Sequence, residues 1–464
     1  MQIPAEIFKA YDIRGIVDKT LTESGVEAIG QALGTEAKSL HQTEVCIGFD
    51  GRLSGPRLAA ALSRGIRKAG VDVVNLGMVA TPMVYFAAHY LRTKCGVMVT
   101  GSHNPPDYNG LKMVLAGETL STERIQKLRQ RITENQLTYG EGIERHYDIA
   151  EDYIAAIKAD IQLARPMDIV VDCGNGVAGA FAKRLYNAIG CQVTELFCKV
   201  DGHFPNHHPD PSVPENLHDL MNSLKTSRAE IGLAFDGDGD RLGVVTKDGN
   251  IIYPDRQLLL FARDVLSRNP KANIIFDVKS TRNLSPWIRQ YGGNPVLWKT
   301  GHSLVKAKIK ETQAALAGEM SGHVFFNDKS QTGKQRWYGF DDGLYSGARL
   351  LEILSHFDDV SAVLNALPDS VSTPEQHIQM REGEPHALIA KLRESAKFDG
   401  ATEVITIDGL RVEYPDGFGL MRPSNTTPVV VLRFEADNLD ALKRIQEAFR
   451  KVIMAVAPQA KLPF

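Results

Sequence analysis

Three aspartates in a glycine-rich stretch are the residues of this chain best suited to chemistry. Residues 231 to 245 read Ile-Gly-Leu-Ala-Phe-Asp-Gly-Asp-Gly-Asp-Arg-Leu-Gly-Val-Val, so that Asp236, Asp238 and Asp240 alternate with glycines and precede Arg241. Three like charges this close repel one another unless a cation lies among them, and glycine lets the backbone bend tightly enough to bring the oxygens together. Carboxylate oxygens suit a hard cation, and Mg²⁺ usually acts together with a phosphate. The stretch therefore predicts a magnesium site.

Two alternatives to this site can be weighed from the same residues. An EF-hand counted from Asp236 would need Gly at its sixth position and Glu at its twelfth, where this chain has Arg241 and Lys247. The EF-hand is therefore excluded. A solvated Asp-Gly turn stays open, although the apolar, strand-like runs on both sides favour a loop that is held at its two ends.

A serine loop is the second candidate for chemistry. An apolar strand ends at Thr100, Ser102 follows it, and Pro105 and Pro106 stiffen the loop. Because no Gly-x-Ser-x-Gly elbow surrounds the serine, acyl transfer fits poorly, whereas a phosphorylated serine beside a metal loop fits phosphoryl transfer. Taken alone, the loop fits an Asx or ST turn better, and the metal loop reverses that preference.

A strand–helix–strand unit that occurs three times must position these loops. In each copy an apolar strand ends on Asp, a helix ends on Gly, and a second apolar strand follows; the strand pairs are 45–50 and 71–76, 168–172 and 191–197, and 273–277 and 295–298. Glycine can end a helix in the left-handed conformation, and such units pair their strands in parallel. The pattern predicts three similar α/β domains.

The remainder of the chain differs from these units. A helix is predicted near 388–397, strands at 403–407, 410–414 and 429–434, and a last helix over 439–456. This order is typical of a smaller α+β domain. The predicted domains are therefore 1–150, 151–251, 252–367 and 368–464.

Composition indicates the class of protein. The net charge of −3 over 464 residues leaves no basic footprint for nucleic acid. Five cysteines without a C-x-x-C pair fit free thiols in a reducing compartment better than disulfides or zinc. The N-terminus shows no secretory pattern, and no apolar run approaches membrane-spanning length. We expect a cytoplasmic protein with neither nucleic acid nor membrane as a partner.

Five stretches, taken together and in order, carry a resemblance to one known family. They are Lys9-Ala-Tyr-Asp-Ile-Arg-Gly15, Thr100-Gly-Ser-His-Asn-Pro105, Asp236-Gly-Asp-Gly-Asp-Arg241, Gly318-Glu-Met-Ser-Gly-His323 and Arg422-Pro-Ser-Asn-Thr-Thr427. The chain resembles the α-D-phosphohexomutases, most closely their bacterial phosphomannomutase/phosphoglucomutase branch. It departs from many relatives after Ser424, where they read Gly-Thr-Glu and this chain reads Asn425-Thr426-Thr427.

The resemblance implies a fold and a reaction. Four domains would surround one central cleft, and each would contribute one loop. Ser102 would carry a phosphate, and Asp236, Asp238 and Asp240 would hold Mg²⁺ against it. The phosphate would pass reversibly to a hexose 1-phosphate, giving a bound 1,6-bisphosphate, and the enzyme would take back the other phosphate to leave the 6-phosphate. Mg²⁺, glucose 1,6-bisphosphate as activator, hexose phosphates as substrates and a monomeric chain are expected.

The resemblance also suggests a role for each site residue. Sugar hydroxyls would be bound by Glu319 and Ser321, and the phosphate that is not transferred by Arg422, Ser424, Asn425 and Thr426. The transferring phosphate would be surrounded by Arg14, Lys112, Arg241 and Lys279. Further contacts to substrate are expected from Tyr11, His103 and His323. His302 is the candidate general acid/base, since its ordinary pKa suits proton transfer at neutral pH.

Each of these residues could also have a purely structural role. The Glu319 and Arg422 loops could be plain turns, the single cations could be surface residues, and each histidine could be structural. A phosphatase of the same architecture would pass the phosphate of Ser102 to water, and a sugar-phosphate sensor would keep the cleft without chemistry. Sugar contacts at Glu319 and Ser321 argue against the phosphatase, and the intact Ser102 and aspartates argue against the sensor.

The resemblance also suggests a sugar preference. The Glu-Met-Ser loop at 319–321, together with residues 339–345 downstream, resembles the same loops in the branch of the family that accepts both mannose and glucose phosphates.

Overall fold

The structure is a computed structural model that describes residues 3–381, 383–425 and 427–464. Within these residues, four β-sheets follow one another along the chain, and helices cover them. The first three sheets are mixed, and the last is antiparallel. This is the predicted architecture of three mixed α/β domains and a smaller C-terminal domain.

The first sheet has the strand order β1-β5-β4-β2-β3-β7, with β6 paired to β5. Its strands are β1 (Ile13–Ile16), β2 (Glu44–Phe49), β3 (Asp72–Met78), β4 (Gly96–Val99), β5 (Tyr108–Leu115), β6 (Glu118–Thr119) and β7 (Glu144–His146), and its helices are α1 (Glu23–Ser39), α2 (Gly55–Lys68), α3 (Thr81–Tyr90) and α4 (Thr122–Thr133). Strands β2 and β4 are parallel neighbours, so that their carboxyl ends meet at one edge. The serine loop begins at that edge.

The second sheet has the order β12-β11-β10-β8-β9. Its elements are α5 (Ala150–Asp160), β8 (Met167–Asp172), α6 (Ala182–Ala188), β9 (Cys191–Leu196), α7 (His218–Thr226), β10 (Ile231–Phe235), β11 (Leu242–Thr246) and β12 (Ile251–Ile252). Strands β10 and β11 form an antiparallel hairpin in which Phe235 pairs with Leu242. Residues 236–241 are therefore the turn of a hairpin whose two strands are buried.

The third sheet has the order β14-β13-β15-β16. Its elements are α8 (Pro254–Arg268), β13 (Asn273–Asp277), α9 (Leu284–Gln290), β14 (Asn294–Trp298), α10 (His302–Thr312), β15 (Leu316–Gly318), β16 (Val324–Phe326), α11 (Gly343–Leu354) and α12 (Val360–Asn365). Gly318 pairs with Val324 across the β15–β16 hairpin. Residues 319–323 are thus the turn that presents the predicted sugar loop.

The fourth sheet has the order β17-β22-β21-β20-β19, with β18 also on β22. Its elements are β17 (Val371–Ser372), β18 (Gln376–Gln379), α13 (Glu384–Ser395), β19 (Glu403–Ile405), β20 (Leu410–Tyr414), β21 (Gly417–Pro423), β22 (Val429–Ala436) and α14 (Leu439–Val456). The β21–β22 hairpin carries the predicted phosphate loop at its turn. The sequence patterns predicted β19, β20, β22 and both helices, but not β17, β18 or β21.

The repeated unit is confirmed at the level of strand pairing. Strands β2 and β3, β8 and β9, and β13 and β14 each pair in parallel around one helix. Gly70, Gly190 and Gly292 follow the three helices with φ of 83°, 106° and 78°. These values lie in the left-handed region, as predicted for helix-ending glycines. The domain boundaries proposed from the sequence remain predictions.

The apolar cores do not follow the sheets one by one. One cluster of buried side chains runs from Phe86 on α3 through Phe235 on β10 to Phe261 on α8 and Leu350 on α11. The second and third sheets therefore share a core with α3 and with side chains from strands β2, β3 and β4 of the first sheet. Among the described helices, none combines the length and the apolar composition that a membrane crossing requires.

Candidate active site

The three aspartates of the β10–β11 turn form a buried acidic cluster. Asp236, Asp238 and Asp240 are fully buried, and one oxygen of each lies within 4.8 Å of the others. The Oδ1 atom of Asp238 makes no hydrogen bond within the described residues, whereas Oδ1 of Asp240 lies 3.3 Å from His323 Nε2. Buried carboxylate oxygens without donors are unfavourable unless a cation lies nearby. The donor set therefore fits a hard metal ion, and the cluster could hold one.

Lys112 of β5 compensates part of this negative charge. Its Nζ donates to Asp238 Oδ2 at 2.7 Å and to Asp240 Oδ2 at 2.5 Å. Burial alone would lower the pKa of Lys112, but the two carboxylates raise it above its ordinary value. Burial alone would raise the pKa of Asp240, but the charge of Lys112 acts in the opposite direction, and the pKa of Asp240 lies well below its usual range. Burial and the charges of Asp238 and Asp240 raise the pKa of Asp236.

Ser102 lies directly against the acidic cluster. The side chain is buried, and its Oγ donates to Asp236 Oδ2 at 3.2 Å. Its backbone N–H donates to Thr100 Oγ1 at 2.8 Å, and its φ of 51° is in the left-handed region. The first and second sheets thus bring the serine and the aspartates together over 134 positions of sequence.

A glycine permits the close approach of the two loops. A Cβ at Gly237 would lie 2.4 Å from the backbone oxygen of Ser102. Any larger residue would push the serine loop away from the acidic cluster. The glycine is therefore required by a contact between two domains rather than by its own φ.

The cations predicted to surround a transferring phosphate divide into two groups. Arg14 of β1 donates from Nη1 to Asn104 in the serine loop at 3.2 Å, and Arg241 Nε lies 3.7 Å from Asp236 Oδ2. Lys112 completes this group. Lys279 instead lies 3.0 Å from Glu375. Burial and the charge of Arg422 lower the pKa of Lys279, but the carboxylates of Glu375 and Asp277 outweigh them and raise it above its ordinary value. The structure therefore places Lys279 towards the phosphate loop of the fourth domain.

The three candidate histidines differ in charge. Burial lowers the pKa of His302 and of His103 well below the usual range, so that both rings are neutral at pH 7. Burial acts in the same direction on His323, but the carboxylate of Asp240 raises its pKa to about 9. His302 Nδ1 lies 3.8 Å from Asp341 Oδ2 and makes no hydrogen bond within the described residues. His103 Nδ1 lies 3.3 Å from Ser102 Oγ.

The β15–β16 turn presents a carboxylate and a hydroxyl side by side. Glu319 Oε1 accepts from the backbone N–H of Gly301 at 2.6 Å, whereas Oε2 lies 3.4 Å from His323 Nδ1. Ser321 Oγ lies 2.8 Å from the same nitrogen. Both side chains are thus oriented by neighbours, and Glu319 keeps one oxygen available as an acceptor.

The phosphate loop of the fourth domain is joined to the other domains. Arg422 at the end of β21 donates from Nε to Asp408 Oδ2 at 3.0 Å, and its buried Nη2 has no hydrogen-bond acceptor in the described chain. Asn425 donates to the Tyr11 hydroxyl, which donates to Thr300 O at 2.8 Å. Ser424 Oγ accepts from the backbone of Thr427 at 3.3 Å. Thr426 lies outside the described residues.

Three residues near these loops were not predicted from the sequence. Thr81, the first residue of α3, donates to Asp238 Oδ2 at 2.5 Å. Asp408 accepts from both Arg422 Nε and the backbone N–H of Thr300. Asp341 accepts from Lys306 at 2.8 Å beside His302. Asp408 lies in an Asp-Gly pair between two strand patterns, a signal that is also typical of an ordinary turn. Asp341 lies in the 339–345 stretch, from which only the sugar preference was predicted.

Comparison with known proteins agrees with this geometry. Residues 5–138, 151–249 and 253–371 match the alpha/beta/alpha domains I, II and III of phosphoglucomutase/phosphomannomutase, and residues 378–452 match its C-terminal domain. The fold and the site define an intramolecular phosphotransferase of the mutase type, that is, an isomerase. The chain belongs to the phosphoglucomutase/phosphomannomutase family.

Relatives cover essentially the whole chain. It is 56% identical over 463 residues to the phosphomannomutase/phosphoglucomutase of Pseudomonas aeruginosa, covering 100% of this chain and 98% of the relative. It is 59% identical to a phosphoglucomutase of Neisseria meningitidis, with 97% of each covered. A crystal structure of a phosphoglucomutase/phosphomannomutase family protein from Burkholderia thailandensis is 58% identical with a TM-score of 0.94 and covers 100% of both chains.

Proposed function

We propose that this protein interconverts hexose 1-phosphates and hexose 6-phosphates, with glucose and mannose phosphates as substrates. Ser102 carries the phosphoryl group that is exchanged, and a 1,6-bisphosphate of the sugar is the bound intermediate. The observation that carries the proposal is the buried Ser102 Oγ at 3.2 Å from Asp236, in a cluster that also contains Lys112. A hydroxyl beside Lys112 and a group of carboxylates that could hold a metal ion suits phosphoryl transfer. The transferring group is negatively charged and needs fixed positive charge around it.

A metal ion fits the aspartates. Asp236, Asp238 and Asp240 would hold Mg²⁺, which when bound supplies positive charge that stabilises the transferring phosphoryl group. Lys112, Arg241 and Arg14 contribute further positive charge from the protein at the same end of the site. Lys112 and Arg241 also contact the aspartates directly, and Arg14 contacts Asn104 of the serine loop.

Proton transfer is assigned to His302. As the phosphoryl group leaves Ser102 for a sugar hydroxyl, the proton of that hydroxyl must move to a base. The neutral His302 can accept it, whereas His323 is already protonated at neutral pH. The Ser102 oxygen that is released takes up a proton in the same step, for which the ammonium group of Lys112 in the same cluster is the donor. In the reverse step the protonated His302 returns its proton to the sugar oxygen, and the Ser102 hydroxyl gives its proton back to Lys112.

The far end of the site holds the sugar and the second phosphate. Glu319 accepts hydrogen bonds from sugar hydroxyls, and Ser321 adds a hydroxyl to the same face. Arg422 offers Nη2, which has no acceptor in the described chain, to the phosphate that is not transferred. His103, Lys279, Tyr11, Ser424, Asn425 and Thr426 complete the proposed set of substrate-binding residues.

The two sugars are expected to be used comparably. Glucose and mannose differ at C2, and contacts from Glu319 and Ser321 to O3 and O4 would hold either epimer in the same way. We expect the kcat/KM values for the two 1-phosphates to lie within about a hundredfold of each other. A preference beyond about a thousandfold would show that a polar contact reads C2.

Phosphorus NMR tests the reaction itself. The protein is mixed with glucose 1-phosphate, Mg²⁺ and a trace of glucose 1,6-bisphosphate, and then with mannose 1-phosphate. The expected result is a growing signal of the 6-phosphate without inorganic phosphate. Release of inorganic phosphate would identify a phosphatase, and an unchanged spectrum would favour a sensor or a different sugar.

A monomer in the cytoplasm is part of the proposal. The five cysteines are free thiols in the structure, which supports a reducing compartment. The loops of all four domains meet within one chain, so that no residue from a second copy is needed to complete the site. Sedimentation equilibrium tests the oligomeric state.

A further inference from the structure

A buried arginine holds the backbone of the serine loop. The guanidinium of Arg52 donates from Nη1 to the carbonyl oxygens of Pro105 and Tyr108 at 2.5 and 3.0 Å. Its Nη2 donates to the carbonyl oxygens of Ser102 and Asn104 at 2.9 and 2.5 Å. One planar group therefore binds four carbonyls of a seven-residue loop, a pattern that only a forked donor can make.

Asp50, the ion-pair partner of Arg52, binds the beginning of the same loop. Arg52 Nε lies 3.3 Å from Asp50 Oδ2, which also accepts from Thr100 Oγ1 at 2.8 Å and from the backbone N–H of Gly101 at 3.2 Å. Thr100 Oγ1 accepts in turn from the backbone N–H of Ser102. The Asp50–Arg52 pair thus fixes the backbone on both sides of the serine.

The second domain covers the pair. The ring of Phe204 lies 5.2 Å from the Arg52 guanidinium carbon, and a Cβ at Gly51 would lie 2.4 Å from Val200. Arg52 is consequently only 1% exposed. Excluding water strengthens its hydrogen bonds to the carbonyl groups.

The backbone of Ser102 needs such support. Its φ of 51° is rare for residues other than glycine and persists only where the surroundings enforce it. We propose that Arg52 is a positioning residue for the reaction, which holds the serine loop so that Ser102 Oγ faces Asp236. This inference rests on the proposed function. Lysine at this position would keep the charge but could not bind four carbonyls at once.

The test compares Arg52→Lys with a matched variant of a second buried arginine. Arg349 on α11 is fully buried and donates to both oxygens of Asp328 at 2.8 and 2.9 Å, away from the serine loop. Both variants are characterised by thermal midpoint, by kcat and KM, and by the rate at which glucose 1,6-bisphosphate phosphorylates Ser102 in a single turnover, followed by intact mass. The last rate reports on the position of Ser102 and is insensitive to stability alone.

In Arg52→Lys, kcat and the single-turnover rate should both fall about 10- to 100-fold, since a displacement near 1 Å has an effect of that size. The KM should stay within about threefold, because Arg52 is not expected to touch substrate. Arg349→Lys should lower the thermal midpoint and leave both rates unchanged. A folded Arg52→Lys protein with wild-type rates would overturn the inference, as would an equal loss in Arg349→Lys.

Two further outcomes are decisive. If Arg52→Lys does not fold, Phe204→Leu is used, which removes the aromatic ring that lies against the guanidinium; a fall in the single-turnover rate would support the inference, and an unchanged rate would overturn it. A wild-type protein that takes up no phosphate and converts no hexose phosphate would overturn the proposed function, and this inference with it.

Discussion

At the scale of single residues, the site combines groups whose charges depend on one another. Lys112 is charged because two aspartates lie within 2.7 Å of it, and Asp240 stays ionised because Lys112 and His323 are near. His302 stays neutral because it is buried beside other cations. The rings of His302 and His323, whose centroids are 5.8 Å apart, thus differ in charge, which suits the proposed acid–base chemistry at neutral pH.

Replacing Ser102 with alanine tests the carrier of the phosphate. We expect turnover to fall by at least about a thousandfold, because the group that exchanges phosphate is gone. The Kd for glucose 1-phosphate, measured by calorimetry, should change by less than about threefold, because Arg422 and Glu319 remain. Substantial activity in Ser102→Ala would mean that another residue carries the phosphate.

At the scale of secondary-structure elements, two hairpin turns and the carboxyl ends of two parallel strands carry the side chains of the candidate site. The β10–β11 turn carries the three aspartates, and the β15–β16 turn carries Glu319. The adjacent carboxyl ends of β2 and β4 carry the Asp50–Arg52 pair and the serine loop. Since each turn joins two paired strands, the position of its side chains follows from strand register.

Gly237→Ala tests the approach of two of these loops. The added methyl group would lie 2.4 Å from the Ser102 carbonyl oxygen, so that kcat should fall by about tenfold or more. The matched control is Gly232→Ala on β10, whose methyl group would lie nearest to the side chains of Leu220 and Leu224, at 2.7 and 2.9 Å. That variant should lower the thermal midpoint with kcat retained. Equal kcat in both variants would contradict a role for Gly237 in the contact.

Helices α1 and α4 are joined by a charged contact whose strength depends on pH. Glu36 of α1 is buried and lies 3.0 Å from Lys127 Nζ and 2.7 Å from Arg131 Nη2. Burial raises the pKa of Glu36, but the hydrogen bonds from Lys127 and Arg131 outweigh it, and the pKa lies below the ordinary 4.5. A lowered folded-state pKa stabilises the protein above that ordinary value, and the stabilisation is lost as the pH falls through the folded-state pKa.

Glu36→Gln should therefore destabilise the protein at neutral pH and less so in acid. We expect a loss of about 1–2 kcal/mol, reduced from a fully buried pair because Lys127 is half exposed. The thermal midpoints of wild type and variant should converge as the pH falls below 4.5 and through the folded-state pKa of Glu36. Glu27→Gln, which removes an exposed pair with Arg64, is the control and should change little. A difference that grows in acid would contradict the assigned direction.

At the scale of the whole molecule, side chains from different domains close the site. Tyr11 of the first domain donates to Thr300 of the third, 289 positions away, and Thr300 donates its backbone N–H to Asp408 of the fourth. Asp408 also holds Arg422 at 3.0 Å. The phosphate loop is thus connected to the beginning of α10, where His302 lies.

Asp408→Ala tests this connection. Without Asp408, Arg422 loses the acceptor that orients it and the fourth domain loses a contact to Thr300, so that KM should rise about tenfold, equivalent to about 1.4 kcal/mol. The value of kcat should change by less than about threefold. Asp416→Ala, which removes a surface pair with Arg444, is the control and should leave KM unchanged. An unchanged KM in Asp408→Ala would show that Arg422 does not need this partner.

Local sequence patterns determined the units of the fold and the type of chemistry. Apolar runs, an Asp at the strand end and a Gly after the helix were enough to predict the three parallel pairs, because these signals act within a few residues. The aspartates and Ser102 were predicted to be site residues from residue type and spacing, and the structure brings them into contact. Strand β21 was not predicted, because glycine and proline at its ends obscure the pattern of a strand that its neighbours enforce.

Only the tertiary structure decided which groups meet and which are charged. Lys279 pairs with Glu375 rather than joining Lys112, Arg52 binds four carbonyls of the serine loop, and His323 rather than His302 carries the proton at neutral pH. None of this follows from spacing, because it depends on contacts between distant positions. Burial then sets each charge, since it removes the water that would otherwise solvate an isolated ion.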